Sequence, residues 1–426
     1  MKKTSLRTIG ALAALLLTAT LPVAAQTVST SGTATDTATA TAAATTSEIK
    51  DGYFAVPGTG FMARLNLKPR MDIMADNRYA GSYDNSSTDS TSPYRFAAAL
   101  IPVKGVDATY DNNAQIAFSG RSSVIAFDAQ TLSGSPCDIA VHYDNDFYGH
   151  EYGGSNLYIR VNQVYVRVGN LILGQAVLPL EDGDMWFDSY DLCGPSGMIF
   201  ARQPEIRYNF KFDQGFSAAA ALNGPATDSS IVRAPDFTAN VRWDNEKFGH
   251  VQLSGLASYL TADNASSTPD KKVRDTAFCW GVNLSLGVTI SPNDTLQLQG
   301  TYGKGMFPYS NDWFVSGQYD FDATGKVKPL TYTAGLIGYS HKWSDKFRST
   351  IGYSMTNLDN PQYDKGNNPN SFVTYHKTQY ALANVIWTPV PRMDISLEVL
   401  YGSNQLQSGD KGNVTRVLLS VGYSLF

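Results

Sequence analysis

The sequence predicts an all-β fold, a transmembrane antiparallel β-barrel of about 16 strands with short periplasmic turns and long extracellular loops. Three observations lead to this prediction. A basic and then apolar leader directs the chain to export. Apolar and polar residues alternate with a period of two from Gly52 to the end. The last alternating segment, 413–426, ends on Phe426, as expected of a strand that closes a barrel.

The first 51 residues predict two segments that precede the barrel. Residues 1–25 begin with three basic side chains, continue with an apolar run and end in Val23-Ala24-Ala25, which is typical of a cleaved signal peptide. No cysteine lies at that cleavage site, which disfavours a lipoprotein. Residues 26–51 are mostly Thr, Ala and Ser and indicate a flexible periplasmic tether. Residues 52–426 show no break in composition and are interpreted as one barrel domain.

Composition excludes several classes of protein. Without the leader, the chain has 30 basic and 38 acidic residues, a poor balance for binding nucleic acid. No later stretch approaches the roughly 20 apolar residues of a membrane helix, which excludes a helical inner-membrane protein. The three cysteines form no framework, although a bridge between Cys137 and Cys193 stays open.

Strand-like runs alternate along the chain, and the spacing between them separates a barrel from a soluble sandwich. In 393–399, for example, apolar residues share one parity while Asp394, Ser396 and Glu398 share the other. A soluble sandwich would alternate in the same way, with its apolar face inward. The predicted runs are 60–76, 113–131, 137–147, 156–169, 171–177, 200–212, 214–224, 235–245, 248–262, 276–290, 293–306, 330–343, 346–358, 376–390, 393–404 and 413–426.

The connections between these runs alternate between short and long. Tight turns at positions such as 169–170, 291–293 and 343–345 are followed by long polar segments, which is how outer-membrane barrels are built. An even number of strands places both termini on the short-turn side. Aromatic residues gather at strand ends, as at Trp243 and Trp387, and predict girdles at the membrane interfaces.

A barrel this wide leaves an aqueous channel, and the third long connection is the candidate for narrowing it. We expect residues 178–199 to fold inward, to pack bulky apolar residues on the wall and to line one side of the channel with negative charge. The predicted constriction residues are the five carboxylates Glu181, Asp182, Asp184, Asp188 and Asp191.

Arginines on the polar parity of the strands predict an opposing basic wall. Because arginine facing lipid is costly, these side chains are expected to face the lumen. The strand residues expected on this face include Arg121, Arg160, Arg207, Arg242, Gln203 and Glu205. Opposed acidic and basic walls would orient polar solutes, and paired guanidinium N–H groups match a carboxylate. This favours small anions, whereas the alternative is that the arginines only neutralise wall carboxylates.

Several segments resemble the DcaP-like family of outer-membrane porins. The most specific block runs from Gly174-Gln175 through Gly194-Pro195-Ser196-Gly197 to 202–208, and the likeness covers roughly the first half of the barrel. It implies a trimeric 16-stranded porin for small anionic solutes such as dicarboxylates. The family arginines correspond to Arg121, Arg160, Arg202 and Arg207. Where the family pattern has two further arginines, this chain has Val124 and Asn162, so its positive wall is thinner.

Rival functions remain as alternatives. An outer-membrane hydrolase could use His142 beside Asp144 and Asp146, but no nucleophile completes such a site, so no enzyme activity is predicted. Residues 181–184 could hold Ca²⁺, but a solvated acidic loop accounts for them, and no metal or cofactor is expected. An adhesive or structural barrel could use loops 306–329 and 359–375. The expected partners are small anions, outer-membrane lipid and lipopolysaccharide, the barrel-assembly machinery and copies of this chain.

Overall fold

The computed structural model describes residues 52–80, 94–107, 114–132, 138–149, 157–226, 231–263, 274–312, 315–364, 367–368 and 370–425. The predicted signal peptide (1–25) and tether (26–51) lie outside the described residues, as do Cys137 and Phe426. No helix in these described ranges is both long and apolar enough to cross a membrane.

The described chain is almost entirely β-structure. Its strands are β1 (Phe54–Ala55), β2 (Phe61–Lys68), β3 (Arg70–Asp76), β4 (Gln115–Ser119), β5 (Val124–Thr131), β6 (Ile139–Asp146), β7 (Arg160–Val168), β8 (Leu171–Val177), β9 (Arg202–Lys211), β10 (Phe216–Asn223), β11 (Asp236–Asn245), β12 (Gly249–Asp263), β13 (Arg274–Ser291), β14 (Asp294–Lys304), β15 (Tyr319–Phe321), β16 (Val327–Pro329), β17 (Thr331–Ser344), β18 (Phe347–Asp359), β19 (Tyr375–Trp387), β20 (Met393–Leu406) and β21 (Lys411–Tyr423). Single 3₁₀ turns lie at Ala98–Leu100, Gly183–Met185 and Phe307–Tyr309.

One antiparallel sheet closes on itself. Strands β2 and β3 are one barrel strand interrupted at Pro69, which has no N–H to donate, and β4 and β5 are its interrupted neighbour. The last strand, β21, pairs with β3 from Arg416 opposite Asp76 to Gly422 opposite Arg70. With β1 as a short addition and β15–β16 as a separate hairpin, 16 barrel strands remain among the described residues. The predicted fold class is confirmed.

The two faces of the barrel follow the predicted parity. On β20, Leu397 and Val399 are 55% and 47% exposed on the outer face, whereas Ser396 and Glu398 are fully buried on the inner face. Aromatic rings form pairs on the exposed face beside the short turns, with the Phe347 and Trp387 ring centroids 6.2 Å apart. An apolar exterior and a polar interior are the reverse of a soluble sandwich and suit contact with lipid.

Long connections contribute apolar residues to the barrel interior. In the connection after β3, Phe96 packs at 6.3 Å from the Tyr380 ring of β19 and is 1% exposed. In the connection after β14, Phe307 and Tyr309 are buried. The Phe307 ring packs on the rings of Tyr332 and Tyr375. The first part of loop 306–329 therefore faces inward, where it is unsuited to the adhesive role considered from the sequence.

Candidate functional site

Residues 178–199, here called the inner loop, connect β8 to β9 and lie along the inward face of other strands. Their irregular backbone needs hydrogen-bond partners, and inward side chains provide them. Asn240 of β11 donates to the Pro179 carbonyl at 3.0 Å, and Ser254 of β12 donates to the Leu180 carbonyl at 2.8 Å. On β19, Asn384 donates to the Asp188 carbonyl at 2.7 Å. The polar inner face of these strands thus holds the loop.

Apolar contacts fix the middle of the inner loop. The Phe187 ring lies against Gly338 of β17 and Gly352 of β18. A Cβ atom at these two glycines would be 2.5 and 2.4 Å from ring carbons of Phe187, so only glycine permits this approach. Phe187 also belongs to a buried cluster with Met185 and Met198. The loop is therefore packed on the barrel interior as well as hydrogen-bonded to it.

Three of the predicted constriction carboxylates belong to ion pairs with the wall. Asp182 pairs with Arg242 at 3.0 Å and lies 2.9 Å from His250 Nε2. Burial opposes ionisation of Asp182, but hydrogen bonds from His250 and Ser285, together with the nearby Arg242, lower its pKa below the usual value. Asp184 pairs with the same arginine at 2.6 Å.

The third of these ion pairs lies further along the inner loop. Asp188 pairs with Arg348 of β18 at 2.6 Å, and that arginine also binds Asp394 at 2.7 Å. Asp184 and Asp188 are exposed, whereas Asp182 is buried.

Of the remaining two carboxylates, Glu181 is buried and Asp191 is half-buried, and neither accepts a hydrogen bond from a cationic side chain among the described residues. Glu181 accepts a hydrogen bond from Trp186 Nε1 at 3.0 Å, and burial raises its pKa to about 7. Asp191 accepts from the Tyr380 hydroxyl and the Gly194 N–H, both at 3.0 Å, and burial likewise raises its pKa to about 7. These side chains belong to the interface between loop and wall.

A cavity of about 620 Å³ lies between the end of the inner loop and strands β7 to β9. Its polar lining comprises Arg95, Asp146, Arg160, Asn162, Gln175, Arg202, Gln203 and Asn311. Its apolar lining comprises Val124, Val161, Trp186, Leu192, Cys193, Phe200, Ala201, Pro225, Ala226 and Pro308. Three guanidinium groups, those of Arg95, Arg160 and Arg202, line this cavity.

The three cavity arginines differ in their partners. Arg160 binds Asp146, with 2.9 Å between Nε and Oδ1. Arg202 donates to the Asn162 side-chain oxygen and forms no ion pair with any carboxylate in the described ranges. Arg95 donates to the Tyr148 carbonyl at 3.1 Å. Arg202 therefore presents a positive charge to the cavity that no described carboxylate directly neutralises.

Of the predicted strand residues, Arg160, Arg202 and Gln203 line this cavity. Arg121 does not, because it is buried with its guanidinium 4.8 Å from the centre of the Tyr94 ring.

The other predicted strand residues lie elsewhere on the wall. Arg207 pairs with buried Glu205 at 3.2 Å and donates to the Val177 carbonyl at 2.6 Å. Arg242 is held by the inner-loop carboxylates. Strand parity located these residues on the inward face but did not separate cavity residues from buried ones.

Several cavity residues escaped the sequence reasoning. Arg95 lies in the first long connection, where an arginine between Tyr94 and Phe96 was the available signal. Trp186 lies in the predicted inward segment and Phe200 at the start of the predicted strand 200–212, and neither was assigned a role. Val124 and Asn162, the two departures from the family pattern, both line the cavity.

The residues considered for a hydrolase site and for a metal site are held by other side chains. His142 lies between Asp128 at 2.7 Å and Asp144 at 2.8 Å, while Asp146 is held by Arg160. Ligand atoms of Asp182, Asp184 and His250 lie within 4.8 Å of one another, but Arg242 already binds both carboxylates. Cys193 and Cys279 are free thiols.

Comparison with known proteins identifies the family. The family model described as DcaP outer membrane protein matches residues 69–425. The chain belongs to the DcaP outer-membrane protein family. Comparison with curated proteins gives no match.

Solved structures share the fold at low sequence identity. The DcaP outer-membrane channel of Acinetobacter baumannii is 18% identical, with 87% of this chain and 99% of that one covered and a TM-score of 0.71. An anion-selective porin from Comamonas acidovorans is 11% identical, covering 86% and 100%, with a TM-score of 0.52. Vibrio cholerae OmpT is 11% identical, covering 87% and 99%, with a TM-score of 0.52.

The family assignment confirms the coarse functional prediction. This protein is a channel of the bacterial outer membrane. Membership of this family, whose solved member is described as a channel, agrees with the prediction that the protein is not an enzyme.

Proposed function

We propose that this DcaP-family channel passes small hydrophilic anions, including carboxylates, by passive diffusion through a lumen narrowed by the inner loop. The observation that carries the proposal is the cavity, which has three guanidinium groups and one carboxylate in its lining. Because Asp146 is already paired with Arg160, positive charge predominates there. A small carboxylate fits both this charge and the paired N–H groups of arginine.

The position of the inner loop supports the proposed narrowing. Its backbone and side chains bind the inward faces of strands from β11 to β20, as at Asn240 and Asn384. Space taken on that side leaves the passage against β7 to β9, where Arg160 and Arg202 lie. Sixteen-stranded barrels have interiors too wide to select small solutes without such an insertion.

The expected interaction energies suit permeation. An ion pair at about 4 Å is worth roughly 1 kcal/mol in water and about 4 kcal/mol at an intermediate dielectric. Solutes must enter favourably and still leave, so contacts of this size are appropriate. The Comamonas porin with the same fold is described as anion-selective, which is consistent with the proposal but concerns that protein.

We further propose how the channel is exported, inserted into the outer membrane and assembled. Residues 1–25 would be removed as a signal peptide, and residues 26–51 would form a periplasmic tether ahead of the barrel. Insertion would use the barrel-assembly machinery, with the outer face against lipid and lipopolysaccharide. A homotrimer is proposed by analogy with Vibrio cholerae OmpT, for which a trimer form is described.

Reversal potentials in a potassium chloride gradient across a planar bilayer test the proposal. We expect the wild type to prefer chloride over potassium. In Arg202→Gln this preference should fall about fivefold, because the variant removes the cavity guanidinium that has no ion-pair partner among the described residues. The matched control is Arg274→Gln, which removes an exposed arginine paired with Asp263 away from the cavity. Preference of the wild type for potassium would reject the proposal, and a silent barrel would favour the adhesive alternative.

A further inference from the structure

The cavity has an apolar side, and this is unusual for the interior of an outer-membrane barrel. Trp186, Leu192 and Phe200 line it while remaining only half-buried. Barrel channels are generally lined by polar side chains, since water fills them. Hydrocarbon left against water costs free energy, so these side chains would be stabilised by a partner that covers them.

The apolar side lies directly beside the cavity charge. The Arg202 guanidinium carbon is 4.5 Å from the centre of the Phe200 ring. The Trp186 ring follows at 5.3 Å from Phe200, in an edge-to-face arrangement with an interplanar angle of 81°. A carboxylate bound to Arg202 would therefore hold the attached carbon skeleton against these two rings.

The aromatic surface is fixed before any solute arrives. Trp186 donates its indole N–H to Glu181 at 3.0 Å. Its ring also lies on Gly194, where a Cβ atom would be 2.4 Å from a ring carbon. Gly194 has a φ of +64°, which favours glycine. A preorganised surface needs little ordering when a solute binds, so little affinity is lost.

The charge next to the apolar side of the cavity suits a single carboxylate. Asp146 pairs with Arg160, and the cavity positions Val124 and Asn162 are neutral. Arg202 forms no ion pair with any carboxylate of the described chain. Arg202 is the cavity guanidinium that lies against Phe200. One carboxylate at Arg202 therefore matches the charge next to the apolar side, and the rest of the solute faces hydrocarbon.

We infer that the cavity selects monocarboxylates that carry an apolar ring or branched hydrocarbon next to the carboxylate, in preference to equally charged polyhydroxylated acids. The inference rests on the proposed anion channel and narrows its solute class. The guanidinium of Arg202 binds the carboxylate, and Phe200, Trp186 and Leu192 cover the hydrocarbon.

Solute block of the chloride current through single channels tests the inference. The probes are cyclohexanecarboxylate and its tetrahydroxylated analogue quinate, which share one ring and one negative charge. We expect cyclohexanecarboxylate to reach half-block at a concentration about tenfold lower than quinate does. Burial of two methylene-sized groups of its ring against the apolar side accounts for that ratio. Equal half-block concentrations in an anion-selective channel would overturn the inference alone, whereas potassium selectivity would overturn the proposed function as well.

Variants assign the discrimination to this surface. Phe200→Thr should bring the two half-block concentrations together, and Arg202→Gln should weaken both probes equally. The matched control, Phe372→Thr, alters an aromatic residue of the connection 360–374 that does not line the cavity and should keep the tenfold ratio. Leu192→Asn provides a second test if Phe200→Thr fails to form a heat-modifiable barrel. Unchanged discrimination in a folded cavity variant would contradict the assignment.

Discussion

Two sides of the same barrel use arginine in different ways. On strands β11 and β18, Arg242 and Arg348 bind the carboxylates of the inner loop and hold it in place. On strands β7 and β9, Arg160 and Arg202 face a cavity, and Arg202 has no described carboxylate partner. The residue type is the same, so the difference arises from what the inner loop binds. Arg242 and Arg348 are structural because inner-loop carboxylates bind them, whereas Arg202 is available to solutes.

The largest expected effect comes from displacing the inner loop where Phe187 packs against the barrel wall. Gly352→Ala would place a Cβ atom 2.4 Å from the Phe187 ring, so the ring and loop must move. Overpacking of this kind costs about 1–3 kcal/mol. We expect a clear rise in single-channel conductance, measured in planar bilayers.

A matched control for this variant exists on β14, which is separated from β18 by β17. At Gly300 of β14, an added Cβ atom would meet nothing within 4 Å. Gly300→Ala should therefore conduct like the wild type. Equal conductance of the two alanine variants would show that the Phe187 contact does not set the position of the loop.

A smaller effect is expected from pH, through the carboxyl groups of Glu181 and Asp191 in the inner loop. Burial raises the pKa values of Glu181 and Asp191 to about 7, so both bind protons more tightly in the packed loop than in a solvated one. Their stabilisation of the packed loop is present below about pH 4 and is lost as pH rises through 7. We expect current flicker to increase between about pH 5 and pH 8.

Glu181→Gln separates this contribution from other titrating groups. Glutamine keeps a side-chain oxygen that can accept from Trp186 but cannot ionise. The variant should show a smaller increase in flicker over the same pH interval. If the current flicker of the wild-type channel does not change with pH, the role given to Glu181 and Asp191 is contradicted.

The smallest effect is expected from an ion pair between an exposed inner-loop carboxylate and strand β18. Asp188→Asn removes one ion pair of Arg348, which keeps Asp394 as a partner at 2.7 Å. Partly exposed ion pairs contribute about 0–1 kcal/mol. The melting temperature in detergent should therefore fall only slightly, by about as much as in the exposed-pair control Asp345→Asn. A loss much larger than in that control would make Asp188 a principal anchor of the loop.

Much of the barrel could be predicted because its rules are local. The alternation around Ser396 and Glu398 assigned the inner face of β20 correctly, and the number of strand-like runs gave the strand count. Parity also placed Arg160 and Gln203 on the correct side of the wall, whereas Arg202, of opposite parity to Gln203, was assigned from the family resemblance. Parity failed to distinguish Arg160 from buried Arg121, because burial behind Tyr94 depends on a distant connection.

The sequence by itself determined the strand pattern, the lipid-facing residues and the location of the carboxylates within one long connection. Only the tertiary structure decided which charges are engaged. It placed Asp182 against Arg242 and His250, some 60 to 70 residues away, and left Arg202 beside Phe200 at a cavity. The physical reason is that alternation is set by each residue's immediate environment, whereas charge pairing depends on how irregular connections pack across the interior.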